Sequence, residues 1–501
     1  MPAPNRDCQT CRLRRIKCDR SVPTCLKCAS RSLECPGYTR RIQFVLGSSR
    51  KGQRTSILKN DSPKDFNASS TPEARTPLTW GLDSRKHLPF LSYGPEHPIL
   101  EMPNIARSVS SQWKFQPRDS TVLLHHFTNY VAAQLVWIDD LQNPWRQYIC
   151  PLALVSPCVL YAILATAAAN IYVMLEPHHA GKYHFFDILS EYRQKSLCFL
   201  TQHLMLTCSS HRAENDPLGL RSFQEGLSAS ILLWHLEMHF PSESQWRLHL
   251  RAAQALINHY FISFVTPFGH DECFDFLISE FYCISIWPRL TLTVEVDNMQ
   301  LSPSLITGKN AILGFVQLMH EIILIAQKPQ STREAFDITD FVARASSARL
   351  DTLAIQMPQN TISTVASEDF SFIVNAWFYA VLIFGYRAIT RLTDSDVQLK
   401  SARDGLFQSL FALSSSLSFA QNQPWPVFIA GTECMGDESK QMWVEARLAS
   451  LIKFVCPLDR QSMLDFLKAW WDQSNSTPNS KASWMVFKRE RAKCGKEFII
   501  W

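Results

Sequence analysis

Six cysteines near the amino terminus obey one spacing rule twice. Cys8, Cys11 and Cys18 read C-x2-C-x6-C, and Cys25, Cys28 and Cys35 repeat that pattern at an offset of 17 residues. Tetrahedral zinc supplies a physical cause for such regularity, because it takes four ligands and favours thiolate sulfur. Six sulfurs that each bind once cannot fill two four-coordinate ions. They can if two thiolates, an equivalent one from each half, bridge both ions. The repeat therefore predicts a pseudo-twofold cluster. Each Cys-x2-Cys is expected at the start of a short helix, where backbone N–H groups and the helix dipole favour thiolate.

Charge is distributed as unevenly as the cysteines. Between Cys11 and Cys18 the chain reads Arg12-Leu13-Arg14-Arg15-Ile16-Lys17. Residues 1–50 carry eleven Lys/Arg against three Asp/Glu, residues 51–100 carry seven against five, and the remainder thirty-two against thirty-seven. The formal net charge of +5 thus hides a strongly basic head and a mildly acidic body. A compact basic element on a metal-fixed scaffold suits phosphate binding.

The string CQTCRLRRIKCDRSVPTCLKCASRSLECPGY, from Cys8 to Tyr38, closely resembles the fungal Zn(II)2Cys6 binuclear-cluster transcription factors. The matching features are the six cysteines in register, the basic run, the Cys18-Asp19 step and Pro23 in the connecting loop. The resemblance implies two Zn²⁺ per chain, held by Cys8, Cys11, Cys18, Cys25, Cys28 and Cys35, with Cys8 and Cys25 bridging. It also implies a nuclear protein that binds double-stranded DNA, with the end of its first helix in the major groove over a CGG-type triplet. The base-reading positions of the family correspond to Arg14 and Arg15, and Lys17 falls close to the phosphates. Arg12, Arg20 and Lys27 join Lys17 as expected phosphate contacts. Many family members carry Lys where this chain has Arg15. Arg pairs bidentately with guanine O6 and N7, so the chemistry is kept while the geometry differs.

Two plainer readings compete. Cys8, Cys11, Cys25 and Cys28 alone would suffice for a one-zinc ribbon, but the common offset of all three cysteine pairs argues against leaving Cys18 and Cys35 idle. A disulfide framework is disfavoured because the start MPAPNRDC is polar and has no signal-peptide pattern. The other nine cysteines (from Cys150 to Cys494) are scattered singly, as buried thiols in a reducing compartment would be.

The chain is expected to be all-α in three parts: a small cluster module of two short helices at 1–40, a flexible linker at 41–118 and a large helical regulatory domain at 119–501. The linker is repeatedly interrupted by proline and holds no apolar period. It also has no a/d heptad, so dimerisation would use the helical domain, or the head would bind DNA as a monomer. Within the body, Leu227, Ile231, Trp234 and Met238 mark one helical face. Trp246, Leu250, Ala253, Ile257, Tyr260 and Phe264 mark a second, and Met463, Phe466, Leu467, Trp470 and Trp471 a third. Leu290, Leu292, Val294 and Val296 alternate like a strand and are taken as an extended connection. The body resembles the second broad type of fungal regulatory domain, through Asn129–Tyr172, Trp246–Ile257, Gln423–Glu438 and Phe466–Gln473. That resemblance implies an all-helical domain.

Leu152–Leu175 has no charged residue and is long enough to cross a bilayer. Its internal Pro157, Thr166 and Asn170, and the absence of flanking basic clusters, favour a core helix broken at Pro157. A membrane-tethered regulator is the alternative. His235-Leu236-Glu237-Met238-His239 places two histidines one turn apart, but the Glu is misplaced for a zinc hydrolase. No phosphate loop, nucleophile elbow or dinucleotide fingerprint is present, so a helical enzyme with an appended zinc module is the less favoured alternative. The reading is a non-enzymatic DNA-binding regulator of RNA polymerase II transcription, an activator of a metabolic or secondary-metabolite gene set. Its body would receive a small-molecule effector or a co-regulator.

Overall fold

A computed structural model describes residues 10–11, 14, 16–21, 25–31 and 33 near the amino terminus. It also describes 117–500, apart from 176–177, 180, 210–216, 241–244, 264–270, 293–310, 329–335, 356–363, 390–395, 455–457, 477–482 and 495–497. The chain divides into two compact units, Met1–Phe90 and Leu91–Trp501. The expected linker up to residue 116, with Arg41–Leu46 in it, lies outside the described residues.

Among the described residues the first unit is a helical turn at Thr10–Cys11 and a short helix α1 (Leu26–Ala29). Its interior consists of Cys11, Cys18, Cys25 and Cys28, with Ile16 packed beside them. A module this small has almost no apolar core of its own, and small domains of that kind depend on a metal or a similar staple.

Among its described residues the second unit is built of helices joined by turns and loops, with no strand. Helix α2 (Pro117–His126) runs through a π-helical turn at Phe127–Val131 into Ala132–Gln134. A second π turn, Trp145–Ile149, leads through Cys150–Ala153 to α3 (Pro157–Met174). Then follow α4 (Lys182–Ser209), α5 (Pro217–Glu237), α6 (Trp246–Ser263) and α7 (Glu272–Thr291). The later helices are α8 (Leu313–Ala326), α9 (Ile338–Leu353), α10 (Thr364–Ile389) and α11 (Val397–Ala412). The last four are α12 (Pro424–Thr432), α13 (Glu438–Phe454), α14 (Leu458–Ser476) and α15 (Trp484–Lys493).

Two buried helices organise this unit. α3 packs on α2, α4 and α5, and α10 packs on α8, α9, α11 and α12, while α7 touches both α5 and α8. α3 is apolar on every side, which suits a helix surrounded by protein. Its two polar residues are satisfied internally: Thr166 donates to Ala162 O at 2.8 Å, and Asn170 bonds His126 Nε2 at 2.9 Å and Gln134 Oε1 at 3.1 Å. α10 is the other helix long and apolar enough to span a membrane, and it too is mostly buried in the core. The break expected at Pro157 falls just before it, at residues 154–156. Pro157 occupies the first turn of α3, where its missing N–H is no loss.

The extended connection expected at 290–296 is corrected at Leu290, while Leu292 is extended at φ −83° and ψ 151°. Leu290 lies in the last turn of α7, which ends when Leu292 N donates to Pro288 O at 2.8 Å. Val294 and Val296 lie outside the described residues. The three apolar faces read from periodicity are buried at every described position, and only Phe264 falls outside the description.

Candidate functional site

The cysteine module is built from backbone geometry outward. Cys25 is the N-cap of α1, and Cys28 N donates to its Sγ at 3.3 Å. Asp19 reinforces the same helix start: its carboxylate accepts from Leu26 N at 2.9 Å and Lys27 N at 3.1 Å. Hydrogen bonds from Ser21 first, then from these backbone N–H groups, hold the Asp19 carboxyl well below the usual carboxylate range. Sequence reasoning saw Asp19 only as part of a motif. Its capping role joins residues seven and eight positions apart.

Sulfur positions decide whether the module fits zinc. Cys11 Sγ lies 3.6 Å from Cys25 Sγ and 4.0 Å from Cys28 Sγ. Two thiolates on one tetrahedral zinc at ~2.3 Å would stand about 3.8 Å apart. The thiols of Cys11, Cys18, Cys25 and Cys28 are buried. Ligand atoms of Cys11, Cys25 and Cys28 lie within 4.8 Å of one another, as do those of Cys18, Asp19 and Cys25. Cys25 is common to both groups. Cys8 and Cys35 lie outside the described residues. Among the described residues these are the two groups with the spacing a metal needs, and His235 and His239 belong to neither.

The basic residues surround this core. Lys17, Arg20 and Lys27 are exposed. Arg14 is half-buried, its Nη1 without a hydrogen-bond partner among the described residues. Arg12 and Arg15 lie outside them. Arg20 sits at φ 61°, in the left-handed region that a residue without glycine's freedom seldom adopts.

The helical unit holds a second site that the sequence did not announce. A cavity of about 720 Å³ lies between the 135–147 segment, α5, α7 and α10. Its frame is fixed by hydrogen bonds. Asn422 Nδ2 donates to Trp137 O at 3.2 Å, Trp377 Nε1 donates to Asn422 O at 2.7 Å, and Tyr148 Oη donates to Glu272 Oε2 at 2.7 Å. His235 Nε2 lies 3.2 Å from Glu280 Oε1, so the imidazole noticed in the sequence pairs with a carboxylate 45 residues away. Burial, then the neighbouring His235 and Arg460, pushes His239 down to about 4, which keeps its imidazole neutral.

The chain matches two family descriptions: the fungal Zn(2)-Cys(6) binuclear cluster domain over residues 6–43, and the fungal specific transcription factor domain over residues 122–498. It is 22% identical over 332 residues to the acriflavine sensitivity control protein acr-2 of Neurospora crassa, covering 51% of this chain and 52% of that one. It is 24% identical over 287 residues to the pestheic acid cluster transcriptional regulator 3 of Pestalotiopsis fici, covering 49% and 47%. The chain thus spans about half the length of the curated relatives it matches. No solved structure matches it. The cluster domain holds two zinc ions, and the sulfur spacing fits that load. With an amino-terminal cluster of this kind and a helical body matched over most of its length, the chain belongs to the fungal specific transcription factor family.

Proposed function

We propose that this protein is a nuclear, sequence-specific DNA-binding regulator whose zinc module reads a CGG-type triplet. The observation that carries the reading is the pair of overlapping ligand groups, Cys11–Cys25–Cys28 and Cys18–Asp19–Cys25, in a module that exposes Lys17, Arg20 and Lys27. Cys8, Cys11, Cys18, Cys25, Cys28 and Cys35 would hold the two ions, with Cys8 and Cys25 bridging. When bound, the zinc pair supplies the fold of the module. The chain's own residues do the recognition. Arg12, Lys17, Arg20 and Lys27 neutralise phosphates, each adding about 0.9 to the log–log salt dependence. Arg14 and Arg15 read base edges.

The helical domain serves regulation in this reading, as the part that receives an effector or co-regulator and provides any homodimer contact. The protein is read as an activator of a metabolic or secondary-metabolite gene set, and the relative named as a pestheic acid cluster transcriptional regulator supports the gene-set part of that reading. The test is Arg15→Ala measured against a CGG duplex and a scrambled duplex. The expected result is a loss of about 1–3 kcal/mol of discrimination at one base, with non-specific binding nearly kept. An unchanged ratio between the duplexes removes Arg15 from base reading.

A further inference from the structure

The cavity in the helical domain has the chemistry of a ligand site. Its rim is marked by the exposed lining residues Gln142, Gln147 and Glu272. Four tryptophans line it, Trp137, Trp287, Trp377 and Trp425, and three of them pack together. Trp137 and Trp377 meet edge-to-face with centroids 5.2 Å apart, and Trp287 meets Trp377 at 5.9 Å. Such a wall favours a flat aromatic guest. Both π-helical turns border the space, through Val131 from one and Gln147 and Tyr148 from the other. Inserted π turns are found frequently at functional sites.

The polar groups narrow the guest further. His239 Nδ1, Ser279 Oγ and Trp425 Nε1 all belong to residues lining the cavity, are sealed from solvent and have no hydrogen-bond partner among the described residues. Each residue is at least nine-tenths buried. Buried polar atoms in native proteins are almost always paired, so orphans lining a cavity point to a bound partner. A neutral imidazole and a hydroxyl each both donate and accept, while an indole N–H only donates. Together they suit hydroxyl and carbonyl oxygens. The wider lining carries four carboxylates, Asp140, Glu272, Asp275 and Glu280, against one guanidinium, Arg460. Arg460 is buried and donates to Leu451 O at 3.4 Å. That balance repels anions.

We propose that this cavity binds an uncharged, planar, polycyclic aromatic compound bearing hydroxyl and carbonyl oxygens, and that this compound is the regulator's effector. The inference rests on the reading of the helical domain as the part that receives a signal. It adds the chemical class, which the family does not supply. Planar rings stack against the tryptophan wall, and the oxygens satisfy His239, Ser279 and Trp425.

The test titrates the full chain with three anthraquinones of one ring size. These are 1,8-dihydroxyanthraquinone, unsubstituted anthraquinone and anthraquinone-2-sulfonate. Binding is read by tryptophan quenching corrected for absorption and by the shift in thermal midpoint. The dihydroxy compound is expected to bind saturably and raise the midpoint. The unsubstituted ring should bind several-fold more weakly, and the sulfonate at least tenfold more weakly. Ser279→Ala and His239→Gln should each weaken the dihydroxy compound several-fold while leaving the unsubstituted ring unchanged. Equal or tighter binding of the sulfonate overturns the proposal. So does the absence of saturable binding by the dihydroxy compound, or unchanged affinity in both variants. Binding of every variant to the CGG duplex is followed in parallel. Retained DNA binding with no anthraquinone binding rejects the ligand class alone. Lost DNA binding in the unmodified chain rejects the DNA reading alone.

Discussion

The two regions are held together by different interiors. Among the described residues of the amino-terminal unit the buried side chains are Cys11, Cys18, Cys25 and Cys28, with Ile16 against them. The helical unit buries an apolar core that runs from Leu123 to Ile500 and includes fully enclosed aromatics such as Trp234, Tyr282 and Phe428. Buried thiols this close, with Cys11 Sγ 3.6 Å from Cys25 Sγ and 4.0 Å from Cys28 Sγ, are a poor core without a cation, because ionised sulfurs repel one another. A metal turns that repulsion into folding energy, and structural zinc contributes on the order of 10–16 kcal/mol in small modules. The helical unit draws instead on removal of apolar surface from water, at roughly 25 cal/mol per Å². One chain therefore carries a metal-dependent module and a body whose stability does not call on the metal.

Chelation is the strongest way to break that comparison. The first tryptophan is Trp80, so indole emission reports nothing from the cluster module. Stripping zinc should abolish binding to the CGG duplex while tryptophan emission and the main thermal transition stay as they were. A body that unfolds together with the head would show the two units to be one cooperative system.

A smaller effect sharpens the other side. Glu433 is nearly fully buried and accepts from Arg387 Nε at 2.9 Å and Nη2 at 2.7 Å, with Arg403 at 3.9 Å. Glu433→Ala removes this buried acceptor and its charge-assisted hydrogen bonds and should destabilise the body by about 1–3 kcal/mol. Zinc content should not change. Urea unfolding followed by tryptophan emission measures the first quantity, and elemental analysis the second.

Acid should act on the body through buried imidazoles. His239 and His320 are both pushed from an ordinary 6.5 down to about 4, chiefly by burial, then by Arg460 and His235 for the first and by Arg289 for the second. Both bind a proton less readily when folded. The unfolded chain therefore takes up more protons between those values, and stability falls as pH drops from 6.5 toward 4. His239 alone accounts for about 3 kcal/mol at the acid end. Urea midpoints from pH 7 to 4.5 should decline, and His239→Gln should flatten the slope. A flat profile in the unmodified chain would refute the argument.

The smallest expected effect is Arg20→Gly. Glycine adopts φ 61° without strain, so the cluster should keep its zinc. The salt dependence of DNA binding should become shallower by about 0.9 in log–log slope if Arg20 neutralises one phosphate. No change in slope would remove Arg20 from the interface.

Legibility in the sequence followed the range of the interaction. The cluster was readable because its ligands lie within one short string, where spacing alone encodes geometry. The faces at Leu227–Met238, Trp246–Tyr260 and Met463–Trp471 were readable because helical period and burial coincide locally. Leu290 misled, since two-residue alternation over a few positions looks the same at a helix end as in a strand. The cavity was not readable. Trp137, His239, Ser279, Trp377 and Arg460 meet only after packing, and π turns leave no simple sequence signature. The His235–His239 spacing was noticed, but its partner Glu280 sits on another helix.

Native mass spectrometry of the purified chain tests the central claim most directly. The account predicts a mass increment of two zinc ions, reduced by Cys18→Ser and by Cys35→Ser. A single zinc that both substitutions leave in place would establish the one-ion ribbon and contradict the shared-thiolate cluster.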